Sequence, residues 1–465
     1  MISGTAADPN QVRAAASRRL VLVVMCVGYF LVLLDVTIVN VALPKIASGL
    51  GASVSGLQWV VDGYALALAA LMLGGGTFGD LRGHKRILLS GLALFGLASL
   101  GCGVAPTTGV LVGFRILQGI GAALMLPGTL AVITHAYPES REQAKAIGVW
   151  AAIGSAALPA GPLLGGALTQ LVSWRAVFFI NVPIVAVAFV GAARVVRESA
   201  DPQDRRLDAA GILLGGATLA VVTFTFIQAG HAELDAAVVV AIVAAVMLAM
   251  AFVTVEHSRE QPMLPLGLFR RPVFTTANSV AAAMNLATLG LLFVLTLYLQ
   301  DILHHSALVA GLALLPLFLP LSVIAPFGGQ VTARFGPKWP MASGLLVAAV
   351  GVALLAPLGA GSSYLALLPA LLLWGIGLGV LTPAAVAAAV GAVPGERAGL
   401  ASAVNNTARQ AAGAIGIAAF GALAGAPTGR GFLAGFHTAA LLAAGLFLAG
   451  MLATVALMPP GARDG

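Results

Sequence analysis

Long apolar runs separated by short polar breaks are the dominant pattern along this chain. Such runs recur fourteen times, near 20–43, 57–77, 87–105, 109–131, 144–168, 176–196, 208–229, 236–256, 274–300, 309–330, 340–358, 363–386, 402–424 and 435–458. Each approaches the roughly 20 residues that a helix needs to cross a bilayer's hydrocarbon. Within hydrocarbon the backbone polar groups must be satisfied inside the segment, which a helix achieves alone, and runs this continuous exclude the alternating pattern of a barrel strand. The pattern therefore predicts an all-α polytopic membrane protein with fourteen spans. The breaks are at most about a dozen residues long, too short for a soluble domain.

Two breaks resemble each other although they lie far apart: "GTFGDLRGHKR" at 76–86 and "GQVTARFGPK" at 329–338. Each is a helix end running into a glycine-containing basic turn. If they correspond, spans one to six and nine to fourteen are equivalent units, with spans seven and eight inserted between them. The expected organisation is an N-terminal tail (1–19), a six-helix bundle (20–200), two linking helices (201–260), a second six-helix bundle (261–458) and a C-terminal tail (459–465). Two parallel six-helix halves facing a central cavity are the plan of one large class of secondary transporters.

Composition supports the bilayer reading: of 465 residues 60% are hydrophobic and 9% charged, with a mean hydropathy of +1.01. Soluble chains carry about 25% charged residues. Charge adds an orientation. Nineteen of the 24 Lys and Arg fall on the side of the two termini, against Lys45, Arg175 and Arg430 on the other, while Arg115 and Arg409 lie within or at the edge of spans. Basic residues collect in cytoplasmic loops, so both termini are expected in the cytoplasm of a bacterium whose inner membrane holds the protein. The net charge of +7 is spread over many short segments, which argues against a nucleic-acid partner. Cys26 and Cys102 lie in apolar runs without metal-ligand spacing and read as buried structural thiols. No cofactor or metal is expected. Without a phosphate-binding loop or a clustered nucleophile or metal set, neither ATP hydrolysis nor enzymatic catalysis is expected, and transport would draw on a gradient. A monomer is expected, with lipid, protons and a small-molecule substrate as its partners.

Polar residues inside the runs then stand out. Asp35 interrupts "LVLLDVTIVNVALP" and Asp62 interrupts "QWVVDGYALALAALMLGGG". An Asp at a span's centre costs roughly 2.5–3.5 kcal/mol on insertion scales, so such residues normally face a wet cavity and act there. The plainer alternative is a satisfied polar contact. Arg115 is the clear cation of the first half. Desolvation favours a protonated carboxyl and a nearby arginine an ionised one, so a pair that forms in one conformation and parts in another can load and release a proton. One charge moved through about 100 mV supplies about 2.3 kcal/mol, enough for roughly a 50-fold solute gradient. The fifth run carries "GSAALPAGPLLGG", whose small residues permit close helix approach and whose prolines remove backbone donors; gating and simple packing both fit.

Together these segments resemble the major facilitator superfamily, and within it the fourteen-helix drug:proton antiporter branch, from residue 20 to about 458. "LDVTIVNVALP" is similar to the branch's first-helix signature. Gly76, Asp80, Gly83, Lys85 and Arg86 match its loop 2–3 motif; Arg115, Gln118, Gly119 and Gly121 its fourth-helix motif; and Gly161, Pro162, Gly165 and Gly166, with Gly154 and Pro159 nearby, its antiporter motif. "SWRAVFFINVP" at 173–183 resembles the entry to the sixth helix. The resemblance implies that the loop motif braces a cytoplasmic gate between the halves, that Arg115 takes part in proton coupling, that the fifth-helix motif marks exporters, and that Asp35 and Asp62 handle protons or bind cations. Leu81 and His84 stand where the loop motif usually carries bases. The acid that some polyspecific members carry in the tenth helix is missing from "ALVAGLALLPLFLPLSVIAPFGG".

From 276 to 458 the acids are Asp301 and Glu396, both at loops, so the second half is expected to present an uncharged cavity wall. Candidate substrate contacts are Trp59, Tyr64, Trp150, Asn285, Asn405 and Gln410, with packing and helix–helix hydrogen bonds as the competing role. The reading is proton-coupled efflux of hydrophobic or amphipathic small molecules such as antibiotics or biocides by alternating access. Proton-coupled transport of an endogenous metabolite on the same fold is the alternative.

Overall fold

The computed structural model describes residues 9–198, 208–229, 236–259, 262, 264–394, 397–427, 429 and 431–459, and all regular structure among them is helical. The first group comprises α1 (Pro9–Leu50), α2 (Val54–Arg82), α3 (His84–Val104), α4 (Thr108–Ala136), α5 (Ser140–Leu171), the single turn α6 (Ala176–Phe179) and α7 (Asn181–Val195). A pair, α8 (Ala209–Ala229) and α9 (Ala236–Ser258), follows. The last group comprises α10 (Pro272–Leu297) with a π-helical turn at Tyr298–Ile302, α11 (Ala307–Ala313), α12 (Leu315–Phe335), α13 (Lys338–Ala353), α14 (Tyr364–Gly391), α15 (Ala398–Ala424) and α16 (Phe432–Leu457).

Twelve helical segments among the described residues are long and apolar enough to cross a membrane. Two of the fourteen expected spans are not among them. At 16 residues α13 reaches only about 24 Å, and α15 carries Asn405, Asn406, Arg409 and Gln410 in its middle. Large apolar side chains such as Val240, Met247 and Met250 stand exposed on α9, as lipid-facing residues do.

The helices pack within the first group through α1 with α5, α2 with α4 and α3 with α4, and within the last through α10 with α15, α12 with α14 and α13 with α14. The groups meet along α2 against α15 and α5 against α11 and α12, while α8 lies against both α2 and α15. Successive helices turn at alternate ends, which are called here the Gly51 face and the Gly83 face after two turn glycines of positive φ, 63° and 97°.

The two similar breaks have matching geometry. Gly83 and Gly336 both adopt positive φ, 97° and 74°, at the α2–α3 and α12–α13 turns, a region open to glycine. Two residues after each glycine is a lysine that caps a distant helix end. The Lys85 ammonium donates to the Ala193 carbonyl at 2.7 Å, near the end of α7, and that of Lys338 to the Met458 carbonyl at 2.6 Å, just past α16. Both supply charge where helix-terminal carbonyls lack partners.

Candidate functional site

The polar centre is built on α4. Arg115 and Gln118 lie one turn apart on the same helix face, and the neighbouring glycines let other helices close around them. A side chain on Gly119 would strike the Tyr64 carbonyl of α2, and one on Gly121 would approach the Phe95 amide nitrogen of α3 at 2.7 Å. Small residues here are what allow α2, α3 and α4 to enclose a guanidinium.

Asp35 of α1 is fully buried and Arg115 is 1% exposed; the two form a salt bridge. The same guanidinium donates to the Val60 carbonyl at 2.9 Å and to Gln118 Oε1 at 2.7 Å. Gln118 Nε2 in turn donates to Asp35 Oδ1 and to Ser99 Oγ, each at 2.9 Å, and Asn181 Nδ2 reaches Asp35 Oδ1 at 3.3 Å. The Tyr64 ring lies 4.4 Å from the Arg115 guanidinium carbon, a cation–π contact, and its hydroxyl donates to the Val32 carbonyl at 3.2 Å. The pair is thus hydrogen-bonded on both sides, as a buried charge pair must be. Ser99 and Asn181 were not singled out in the sequence, although Asn181 sits in the quoted "FFINVP".

Arg115 and Tyr64 also line a small cavity between the two helix groups, together with Asn40 of α1 and, from the last group, Leu289, Gln410 and Ile417. Asp35 therefore lies directly behind a cavity wall and faces no lipid. The structure does not bring Asp62 into this network. Asp62 is fully buried on α2, and neither carboxyl oxygen has a hydrogen-bond partner among the described residues.

On the Gly51 side of the cavity the two groups are sealed. Gln58 Nε2 of α2 donates to the Ile417 and Ala418 carbonyls of α15 at 3.2 and 2.9 Å, and Gln300 Nε2 donates to the Val41 carbonyl of α1 at 2.8 Å. Gly166 of α5 completes this seal, while Gly161 and Gly165 hold α5 against α1 within the first group. Side chains on Gly161 and Gly165 would run into Thr37 and Ile38 of α1, and one on Gly166 would meet the Ala307 carbonyl at 2.6 Å. Gly311 of α11 packs just as closely on the Pro162 carbonyl. Pro159 and Pro162 both lie inside α5. Farther along the seam, Ser322 Oγ donates to the Ser155 carbonyl at 2.9 Å.

The loop motif is partly described: Gly76 and Asp80 lie outside the residues whose side chains the structure describes. Glu198, a further residue that the sequence did not flag, gathers the rest. It accepts from the Lys85 amide at 3.1 Å, pairs with Arg86 at 3.6 Å, and lies against the Cα of Gly83, where a side chain would collide with it. These contacts join α2, α3 and the end of α7 within the first helix group.

The candidate substrate contacts divide. Tyr64 and Gln410 line the cavity. Trp150 stacks on Tyr29 with ring centroids 3.9 Å apart. Asn285 accepts a 3.4 Å hydrogen bond from Arg409. Asn405 donates to Asn278 at 3.2 Å, a helix–helix contact between α15 and α10, and Trp59 packs against the cluster of Ala65, Leu66 and Ala414. The last group's residues on the cavity wall are the uncharged Leu289, Gln410 and Ile417; beside them on α15, Arg409 donates to Asn285 of α10 and lies within electrostatic reach of Tyr29 of α1.

The major facilitator superfamily profile matches residues 25–417. The chain is 37% identical over 401 residues to the puromycin resistance protein pur8 of Streptomyces alboniger, an alignment covering 85% of this chain and 80% of that protein. It is 35% identical over 407 residues to the multidrug resistance protein Stp of Mycobacterium tuberculosis, covering 87% and 75%. With the tetracenomycin C resistance and export protein of Streptomyces glaucescens it shares 34% over 416 residues, covering 88% and 77%. A crystal structure of the peptide transporter POT in complex with sulfate superposes with a TM-score of 0.69 over 93% of each chain at 15% identity, a likeness of fold. On the profile match and these identities, the chain belongs to the major facilitator superfamily.

Proposed function

We propose that this protein exports hydrophobic or amphipathic small molecules, such as antibiotics or biocides, in exchange for protons by alternating access. The observation that carries the reading is the buried Asp35–Arg115–Gln118 network set behind the wall of a cavity between two helix groups. Relatives that share a third of their residues over most of their length are resistance and export proteins, which favours drug efflux over transport of an endogenous metabolite. In this scheme the structure represents a state closed on the Gly51 side. Opening of the Gly51 seal wets the cavity in front of the pair; a shift of α1 against α4 within the first helix group then parts Asp35 from Arg115, the carboxylate takes a proton, and re-forming the pair on return expels it. Asp62, buried without a hydrogen-bond partner among the described residues, is the second proton-handling candidate.

The same reading places both termini, and the Gly83 face, in the cytoplasm of a bacterial inner membrane, with the chain acting as a monomer. It also makes α13 and α15 membrane-spanning, for fourteen spans in all. Each is packed into the last helix group among helices long enough to cross, and neighbours can shield the polar middle of α15 from lipid. The division into bundles 20–200 and 261–458 with a linking pair 201–260 follows from that count.

Everted membrane vesicles containing the protein test this. Acidifying their interior drives uptake of an exported drug; a panel of cationic, neutral and anionic drugs identifies it. No acid-driven uptake of any panel member, with the protein present and folded, contradicts the export reading.

A further inference from the structure

The two arginines of the membrane interior differ in how they are used. Arg115 spends its donors on Asp35, Gln118 and the Val60 carbonyl. Arg409, near the middle of α15, makes one long hydrogen bond, from Nε to Asn285 Oδ1 at 3.4 Å, and has no carboxylate within ion-pair distance among the described residues. An ionisable residue inside a membrane is costly and normally serves a pathway. A guanidinium has five N–H donors in a rigid fork suited to planar oxyanions, and the terminal nitrogens of Arg409 bond to none of the described residues.

Within electrostatic reach of Arg409 across the seam is Tyr29, one member of a flat aromatic pair. Tyr29 of α1 and Trp150 of α5 are stacked, 3.9 Å between centroids and 13° between planes. Gly154, one turn beyond Trp150 on α5, leaves the room that the Tyr29 ring occupies. The Trp150 indole N–H is buried and has no acceptor among the described residues. Along each helix these residues adjoin the central cavity on its Gly83 side: Arg409 precedes Gln410, Asn285 lies one turn before Leu289, and Tyr29 two turns before Val36. The place therefore offers spare donors, a stacking surface and no described carboxylate.

We propose that Arg409, Asn285 and the Tyr29–Trp150 stack form a substrate subsite that binds the acidic group of flat aromatic anions and selects them over aromatic cations. The guanidinium fork holds the carboxylate or other oxyanion, the aromatic pair covers the ring, and a cationic group in the same place meets like charge. This deepens the export reading and rests on it for the direction of travel; the binding itself is measured without transport.

The experiment is equilibrium binding to the purified full chain in detergent, using naphthylacetate, naphthylacetamide and naphthylmethyl-trimethylammonium as matched anionic, neutral and cationic probes. Naphthylacetate is expected to bind at least ~10-fold more tightly than either of the others, the size of one charge-assisted pair. Arg409→Gln is expected to weaken naphthylacetate at least ~10-fold while changing the amide and the cation far less, with Arg409→Lys retaining part of the preference. Equal weakening of all three probes by Arg409→Gln, or a parent protein that binds naphthylacetate no better than the cation, overturns the proposal. If Arg409→Gln does not fold, the parent's ranking of the probes and the response of Trp150→Leu decide: weaker binding of all aromatic probes by a folded Trp150→Leu supports the stack, and unchanged binding overturns it. Binding that follows the anion while vesicles show no uptake would refute export and leave the subsite standing.

Discussion

The seal on the Gly51 side rests on two glutamines, and removing them has a calculable consequence. Gln58 and Gln300 together make three side-chain-to-carbonyl hydrogen bonds between the helix groups, at 3.2, 2.9 and 2.8 Å. Each is a neutral bond with a net worth of about 0.5–1.5 kcal/mol. Replacing both residues by Leu loses about 3 kcal/mol of such bonding and regains about 1 kcal/mol of apolar burial, leaving the closed state weaker by about 2 kcal/mol. That is roughly a 30-fold rise in the population open on the Gly51 side. Asn40 lines the cavity and is buried in the closed state, so Asn40→Cys reports opening through its reaction with a membrane-impermeant maleimide added on that side. A control retaining only the buried Cys26 and Cys102 sets the background. The rate at Asn40→Cys should rise roughly 30-fold in the Gln58→Leu, Gln300→Leu protein. A rise below about threefold, with unchanged thermal stability, refutes the view that these amides hold the seal, since the population would then have moved by less than about 0.7 kcal/mol.

Three other outcomes are expected. Gly166→Val pushes a side chain into the Ala307 carbonyl and Leu308 Cα, 2.6 and 2.9 Å from its Cβ, and should cost the closed state about 1–3 kcal/mol; spin labels on α5 and α11 should move apart and transport should fall. Asp35→Leu or Arg115→Leu alone leaves a buried charge unpaired and should destabilise by about 3–5 kcal/mol, whereas the double variant should recover most of that in thermal unfolding. Lys338→Met, at a buried ammonium that caps α16, should cost about 1.5–3 kcal/mol, against less than about 1 kcal/mol for Glu198→Gln, whose partner Arg86 has a side chain 79% exposed.

What the sequence disclosed followed from contrast. Asp35, Arg115 and Gln118 are conspicuous because they interrupt apolar runs, and the structure joins all three. The two glycine-and-lysine turns were visible as similar strings, and their helix-capping lysines now give the similarity a physical basis. Other members of the centre carried no such contrast. Ser99 reads as one small residue among many in α3, and Glu198 as one solvated charge after a helix. Their roles exist only once α3 meets α4 and the α2–α3 turn meets the end of α7. The stacking of Tyr29 on Trp150 and the contact of Gly311 with Pro162 likewise join residues about 120 and 150 positions apart, beyond the reach of any local period. Arg409 stands out in the sequence as an intramembrane charge, but its neighbours Asn285 and Tyr29 emerge only from the packing of α15 beside α10 and α1.

The central claim is that Asp35 takes up and gives back the proton that drives export. Proteoliposomes holding Asp35→Asn separate that role from folding and substrate binding, because exchange of labelled for unlabelled drug needs no proton while accumulation against a gradient does. The account predicts that Asp35→Asn retains drug exchange and loses accumulation under an imposed pH difference. Accumulation at the parent's level by a variant that cannot ionise at residue 35 would contradict it.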